Sequence, residues 1–144
     1  MAGNNNFFSN NVFTKPNVKS TPVGAPNVIT LDYFAEGLTD YSLSCAELIS
    51  YITYINVVGP TTGGGINLYL PSTNSLLGQT IVIKNTSADT LTIDTVGSTT
   101  FDEGDYATLT LDPPGSPGQL GSVTVMANPT NVDTWYVLNA FVQL

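Results

Sequence analysis

Residues 66–94 read INLYLPSTNSLLGQTIVIKNTSADTLTID, and their patterning decides the fold class. Ile66, Leu68 and Leu70 fall on one face of an extended segment, which Pro71 ends by withholding a backbone donor. Gly78 lets the chain turn tightly before the next run. In that run Ile81 and Ile83 oppose Val82 and Lys84. Asn85 and residues 87–89 supply turn formers. Leu91 and Ile93 then alternate with Thr90, Thr92 and Asp94. Period-two alternation in short runs, bounded by Gly, Pro, Asn, Asp and Ser, is the pattern of antiparallel strands with one solvated face.

Working outward, the pattern continues. Leu109 and Leu111 alternate with Thr108 and Thr110, and Val123 and Val125 with Thr124 and Met126. Trp135, Val137 and Phe141 oppose Tyr136, Leu138, Ala140 and Val142. Trp135, the largest apolar side chain present, is expected to plug the core at the last strand. Toward the N-terminus, Val28, Ile29, Leu31 and Tyr33 suggest a first strand. Residues 41–58 are ambiguous at their start. Leu43, Ala46, Leu48, Ile49 and Ile52 fit one or two helical turns around residues 44–50, whereas ISYITYINVV favours strand. Because that run is apolar on both faces, Ile52, Tyr54, Ile55 and Val57 are candidate subunit-interface residues. Strand starts recur roughly every ten residues. The expectation is therefore an all-β, antiparallel β-sandwich or jelly-roll-like single domain over residues 28–144, without an internal repeat.

Residues 1–27 differ. Seven asparagines fall there, and Pro16, Pro22 and Pro26 break any helix. Phe7, Phe8, Val12 and Phe13 are nevertheless too apolar for a purely solvated tail. An extended N-terminal arm is expected, folded back on its own domain or docked on a neighbour. Its partner-binding candidates are Phe7, Phe8, Val12, Phe13, Lys15 and Lys19.

Composition sharpens this reading. Only 10% of the 144 residues are charged, against about 25% in an ordinary domain. Thr, Ser, Asn and Gly make the polar surface, so few charges need desolvating in a wide contact. The net charge of -8 is uneven, because all eleven acids lie from Asp32 onward and face Lys84 alone. The arm holds the other two lysines and no acid. An acidic body without Arg is a poor partner for nucleic acid or anionic membrane. No apolar run approaches a membrane helix, and no signal peptide is evident at the start. The lone Cys45 cannot form an internal disulfide and reads as a small core residue.

Catalytic chemistry finds few groups. There is no His and no Arg, so no Ser-His-Asp or Cys-His relay can be assembled, and bidentate phosphate clamping is lost. Gly63, Gly64 and Gly65 precede Ile66 rather than a phosphate-binding Lys, and read as a turn. Glu36 and Asp40, and Asp102, Glu103 and Asp105, look like charged turns rather than a glycosidase pair or a calcium loop. The Asn85-Thr86-Ser87 sequon reads as a turn. No catalytic residue, metal ligand or cofactor is assigned, and no enzymatic activity is expected.

The order INLYLPS, LLGQTIVIKNTSADTLTID, a Gly- and acid-rich turn, ATLTLDP, SVTVMA and TWYVLNAF resembles a β module of viral and phage structural proteins. These include head fibres, tail fibres and capsid decoration or cement proteins. The resemblance covers about half the chain. Leu70-Pro71, Gly78, Ile81 to Asn85 and Trp135 to Val137 carry most of it. It implies a virion structural protein on the capsid surface, trimeric or attached to a trimeric site. The implied partner is the major capsid protein or another virion protein, without nucleic acid or membrane. The arm is too short for a fibre shaft, which favours a small protein bound directly to the shell. The alternatives are a receptor- or carbohydrate-binding fibre tip, with Tyr33, Tyr41, Tyr69 and Tyr106 stacking on sugars, and a bacterial surface domain.

Overall fold

A computed structural model describes residues 26–130 and 133–144. Among the described residues ten strands form two sheets. In chain order they are β1 (Asn27–Asp32), β2 (Asp40–Ser42), β3 (Ile52–Val58), β4 (Ile66–Leu70), β5 (Thr80–Asn85), β6 (Leu91–Thr95), β7 (Thr100–Phe101), β8 (Leu109–Leu111), β9 (Leu120–Ala127) and β10 (Thr134–Val142). A single helical turn, α1 (Tyr33–Glu36), follows β1, and 3-10 turns occupy Cys45–Glu47 and Asp102–Gly104. The six-stranded sheet has the order β1-β3-β5-β9-β10-β7, and the four-stranded sheet β2-β4-β6-β8.

Eight of the strands lie where the alternation placed them, β2 and β7 were not expected, and Tyr33 belongs to α1 rather than to the first strand. The expected antiparallel sandwich or jelly roll is overturned, because both sheets are mixed. From β1 to β6 the chain alternates between the sheets. It therefore returns to each sheet in the same direction: β1, β3 and β5 are mutually parallel, as are β2, β4 and β6. The chain winds as a flattened coil, two strands per turn. Antiparallel pairing begins only where β9 joins β5, β8 joins β6 and β10 joins β9. The cause lies in the connections. Linkers of five to nine residues separate β1 through β6. They span the two layers, whereas adjacent antiparallel strands are most often joined by two-residue hairpin turns.

The coil stacks like on like. Ile29, Ile55 and Ile83 stand side by side across three parallel strands, and Val123 extends the row. In the facing sheet Leu68, Ile93 and Leu109 form one row, and Ile66, Leu91 and Leu111 another. Ile29 is partly buried and Leu109 is buried with slight exposure, while the other members are essentially solvent-free. Burying each such side chain contributes about 1.5–3 kcal/mol. These rows form a structural repeat that the sequence does not display, since each turn needs only an apolar residue at the inward positions.

The turns are held by polar side chains. Asn85, itself buried, donates through Nδ2 to the carbonyls of Asp89 and Leu111 at 2.8 and 3.0 Å. Its Oδ1 accepts from the Ser87 amide and hydroxyl at 3.0 and 2.7 Å. The sequon is thus a buried turn clamp. Cys45, expected in the core, is exposed instead. Leu43 and Leu48 take the inward positions on either side of its 3-10 turn.

Candidate functional site: an outward sheet face and an open coil end

Two surfaces stand out. The first is the outer face of the six-stranded sheet. Side chains alternate across a strand, so the inward Thr53, Ile55 and Val57 of β3 force Ile52, Tyr54, Asn56 and Val58 outward. Tyr54 sits between Val28 of β1 and Val82 of β5. Ile52 lies beside Thr80, which in turn faces Met126 of β9. On the far side of the sheet a register shift between Val137 and Asn139 displaces Leu138, and Phe141 stands opposite Ser122. Val28, Tyr54, Leu138 and Phe141 are 67%, 44%, 52% and 55% exposed. The face carries Lys84, the sole cation among the described residues. Apolar side chains gathered on one sheet face mark a contact surface, unlike apolar residues scattered singly.

Of the four interface candidates, Ile52 and Tyr54 therefore face outward. Ile55 and Val57 are buried in the chain's own core and are not available to a neighbour. The arm candidates Phe7, Phe8, Val12, Phe13, Lys15 and Lys19 lie outside the described residues. Of the tyrosines considered for sugar stacking, Tyr33 is buried, Tyr41 and Tyr69 are half-buried, and Tyr106 alone is exposed.

The second surface is the end of the coil at β1 and β2, the edge strands among the described residues. Ile29, Leu31, Tyr33, Leu38 and Tyr41 line a cavity of about 220 Å³ there, with Asp32 and Glu36 also on its wall. Tyr33 is buried, and its hydroxyl donates to the Asn67 carbonyl at 2.8 Å. Burial, with Asp40 and Tyr41 nearby, raises its pKa far above the ordinary tyrosine value. The Tyr41 hydroxyl donates to Glu47 Oε1 at 2.8 Å, which raises its pKa, with Glu36 adding to the effect. Periodicity could not reveal this cavity, because it lies where β1 and β2 are, among the described residues, the last strands of their sheets.

The acidic turns are engaged internally. Asp102 and Glu103 adopt left-handed backbone conformations, with φ of 45° and 59°. Such geometry costs on the order of 1–3 kcal/mol per residue. It is offset by ties to β10: the Val137 amide donates to Asp102 Oδ1 at 2.8 Å, and the Glu103 amide to Thr134 Oγ1 at 2.9 Å. Asp89 accepts from Thr61 and Thr62, and Asp133 from Ser72, Thr73 and Thr99. Among the described residues no group of three His, Cys, Asp or Glu side chains is placed to hold a metal ion. No helix there is long and apolar enough to cross a membrane.

Searches of protein-family models, of curated proteins and of solved structures found no match to this chain.

Proposed function

We propose that this chain is a non-catalytic virion structural protein, a capsid decoration or cement protein or a short head fibre. It binds the shell built by the major capsid protein and stabilises it. The observation that carries this reading is the apolar outer face of the six-stranded sheet, where Ile52, Tyr54, Val28, Leu138 and Phe141 lie exposed on a domain with very few charges. Such a face loses water cheaply against another protein, since few ions must be stripped. The sequence resemblance to fibre and decoration modules supports the same reading and suggests a trimer. The leader, with Phe7, Phe8 and Lys19, acts as a tether. Binding at several weak sites on one shell then multiplies into firm attachment and holds capsomers together by mass action.

The test is a census of purified particles from the source that encodes the chain. Quantitative mass spectrometry should find it in a fixed whole-number ratio to the major capsid protein, and stripped particles should rebind it and survive higher temperature. Absence from particles, or a monomer in concentrated solution that converts a small molecule, overturns the proposal.

A further inference from the structure

Only the first part of β10 is sheltered. β7 pairs with it at Thr134 and Trp135 alone, and the Val137 amide is taken by Asp102 Oδ1. From Leu138 to Val142 no strand lies on that side among the described residues. The same residues are exposed, whereas Thr134 and Trp135 are buried. Ala140 shows why. It stands in register with Val123, Ile83 and Ile55, which are buried between the sheets. Ala140 itself is exposed, so this half of β10 overhangs the smaller sheet and is uncovered on both faces.

An uncovered edge is normally blunted by a charge, a proline or brevity. The smaller sheet follows that rule, since its edge strand β8 has three residues and runs into Asp112, Pro113 and Pro114. Residues 138–142, LNAFV, hold neither a charge nor a proline. One register shift falls at their start, and the other inserts Gly121 into β9. β10 therefore alternates without a break from Asn139 onward. The Gln143 amide donates to the Gln119 carbonyl and its carbonyl accepts from the Gly118 amide, both on the side of β9. Alternation then turns the backbone groups of Val142 and Ala140 the other way, off the sheet.

Chemistry selects the occupant. The described residues carry eleven acids against Lys84, so two copies repel over most of their surface. The strip 138–142 is uncharged and complementary to itself. Turned about a twofold axis at Ala140, it sets Ala140 against the partner's Ala140 and Val142 against the partner's Leu138. Small meets small at the centre, apolar meets apolar on either side, and the outward backbone groups face one another. We propose that two copies of this chain pair antiparallel along residues 138–142 of β10, joining their six-stranded sheets into one. An antiparallel pair keeps both outer faces on the same side, open to a shell or to further copies. The contact goes beyond the virion reading and does not depend on it.

Sedimentation and hydrogen exchange on the full chain test it. The protein should associate in pairs as its concentration rises. The amides of Ala140 and Val142 should exchange slowly in the pair and faster on dilution. Ala140→Pro removes an outward donor while leaving the ladder to β9 intact. Val142→Lys places a charge on the edge. Each should weaken pairing by about tenfold or more. Exchange at β5 amides should be unchanged in both, which shows that the body still folds, and if Ala140→Pro unfolds it, Val142→Lys decides. A chain that stays monomeric at its highest attainable concentration overturns the proposal, as does pairing of undiminished strength in a folded variant. Slow exchange of Ala140 and Val142 at every dilution overturns it as well, by assigning the edge to a segment of the same chain.

Discussion

The indole Nε1–H of Trp135 donates to the carbonyl of Pro71 across 2.9 Å, tying β10 to the end of β4 although 64 positions separate them in the chain. Both residues are buried. The proline ends its strand and leaves a carbonyl pointing into the core, and the tryptophan satisfies it while filling the space between the sheets. Trp135→Phe keeps most of the volume but orphans that carbonyl, which costs about 1–3 kcal/mol. Trp135→Ala adds a cavity and costs about 3–5 kcal/mol. Urea unfolding of the two variants should rank them in that order, and equal losses would show that the hydrogen bond contributes nothing.

Thr53 is a buried residue of β3 whose hydroxyl has no hydrogen-bond partner among the described residues. It sits between Asn27 and Ile81, in a column otherwise suited to an aliphatic side chain. Thr53→Val removes the orphan hydroxyl with little change of shape. A gain of about 1 kcal/mol is expected, which for a domain of this size raises the melting temperature by about 2–4 °C. A lower melting temperature would mean that the hydroxyl has a partner.

Asp133 gathers the Thr73 amide and the hydroxyls of Ser72, Thr73 and Thr99 at 2.9 to 3.1 Å. Burial pushes its pKa up, but these hydrogen bonds together outweigh it and hold the carboxyl below the ordinary value of 3.8. Asp89, bound by Thr61 and Thr62, behaves alike. Because the folded values are depressed, both groups contribute stability that is fully present above the ordinary value. It is lost as the pH falls through the lower, folded one. Asp133→Asn should therefore lower stability at neutral pH and flatten its decline on acidification. An acid limb identical to that of the parent chain would assign the loss to other carboxylates.

The outward face is tested by charge. Ile52→Glu and Phe141→Glu alter exposed positions on the same outer face, toward opposite edges of the six-stranded sheet. Each should leave the melting temperature nearly unchanged, because exposed substitutions shift stability by about 0.5 kcal/mol or less. Each should weaken self-association and particle attachment by about tenfold or more, since a buried unpaired carboxylate opposes contact. Deleting the arm, residues 1–27, should likewise reduce attachment without unfolding the body. Sedimentation and a particle-binding assay report both, and undiminished attachment in all three variants would rule out this face and the arm.

Strand positions were legible in the sequence because alternation depends only on which neighbours meet water. Ile81 and Ile83, or Leu91 and Ile93, announce an inward face whatever lies beside them. The direction of pairing was not legible, because Ile55 packs equally well beside a parallel or an antiparallel Ile83. The clue was in the connections, since residues 59–65 and 71–79 are longer than tight hairpins need. Trp135 was placed correctly by size alone. Cys45 was misplaced because a short 3-10 turn has no periodicity from which to read its inward side. Ile55 and Val57 were grouped with Ile52 and Tyr54 because a run apolar on both faces does not say which face belongs to the chain's own core. The cavity at β1 and β2 arises from tertiary winding and leaves no local mark.

The winding gives the body a polarity. Adding or removing a full circuit of 25 to 28 residues between β1 and β6 would alter its height while leaving girth and lid untouched. Length and cross-section are thus independent quantities in this architecture. Among the described residues only the end at β1 and β2 keeps the direction of the winding, because the strands at the other extremity are reversed.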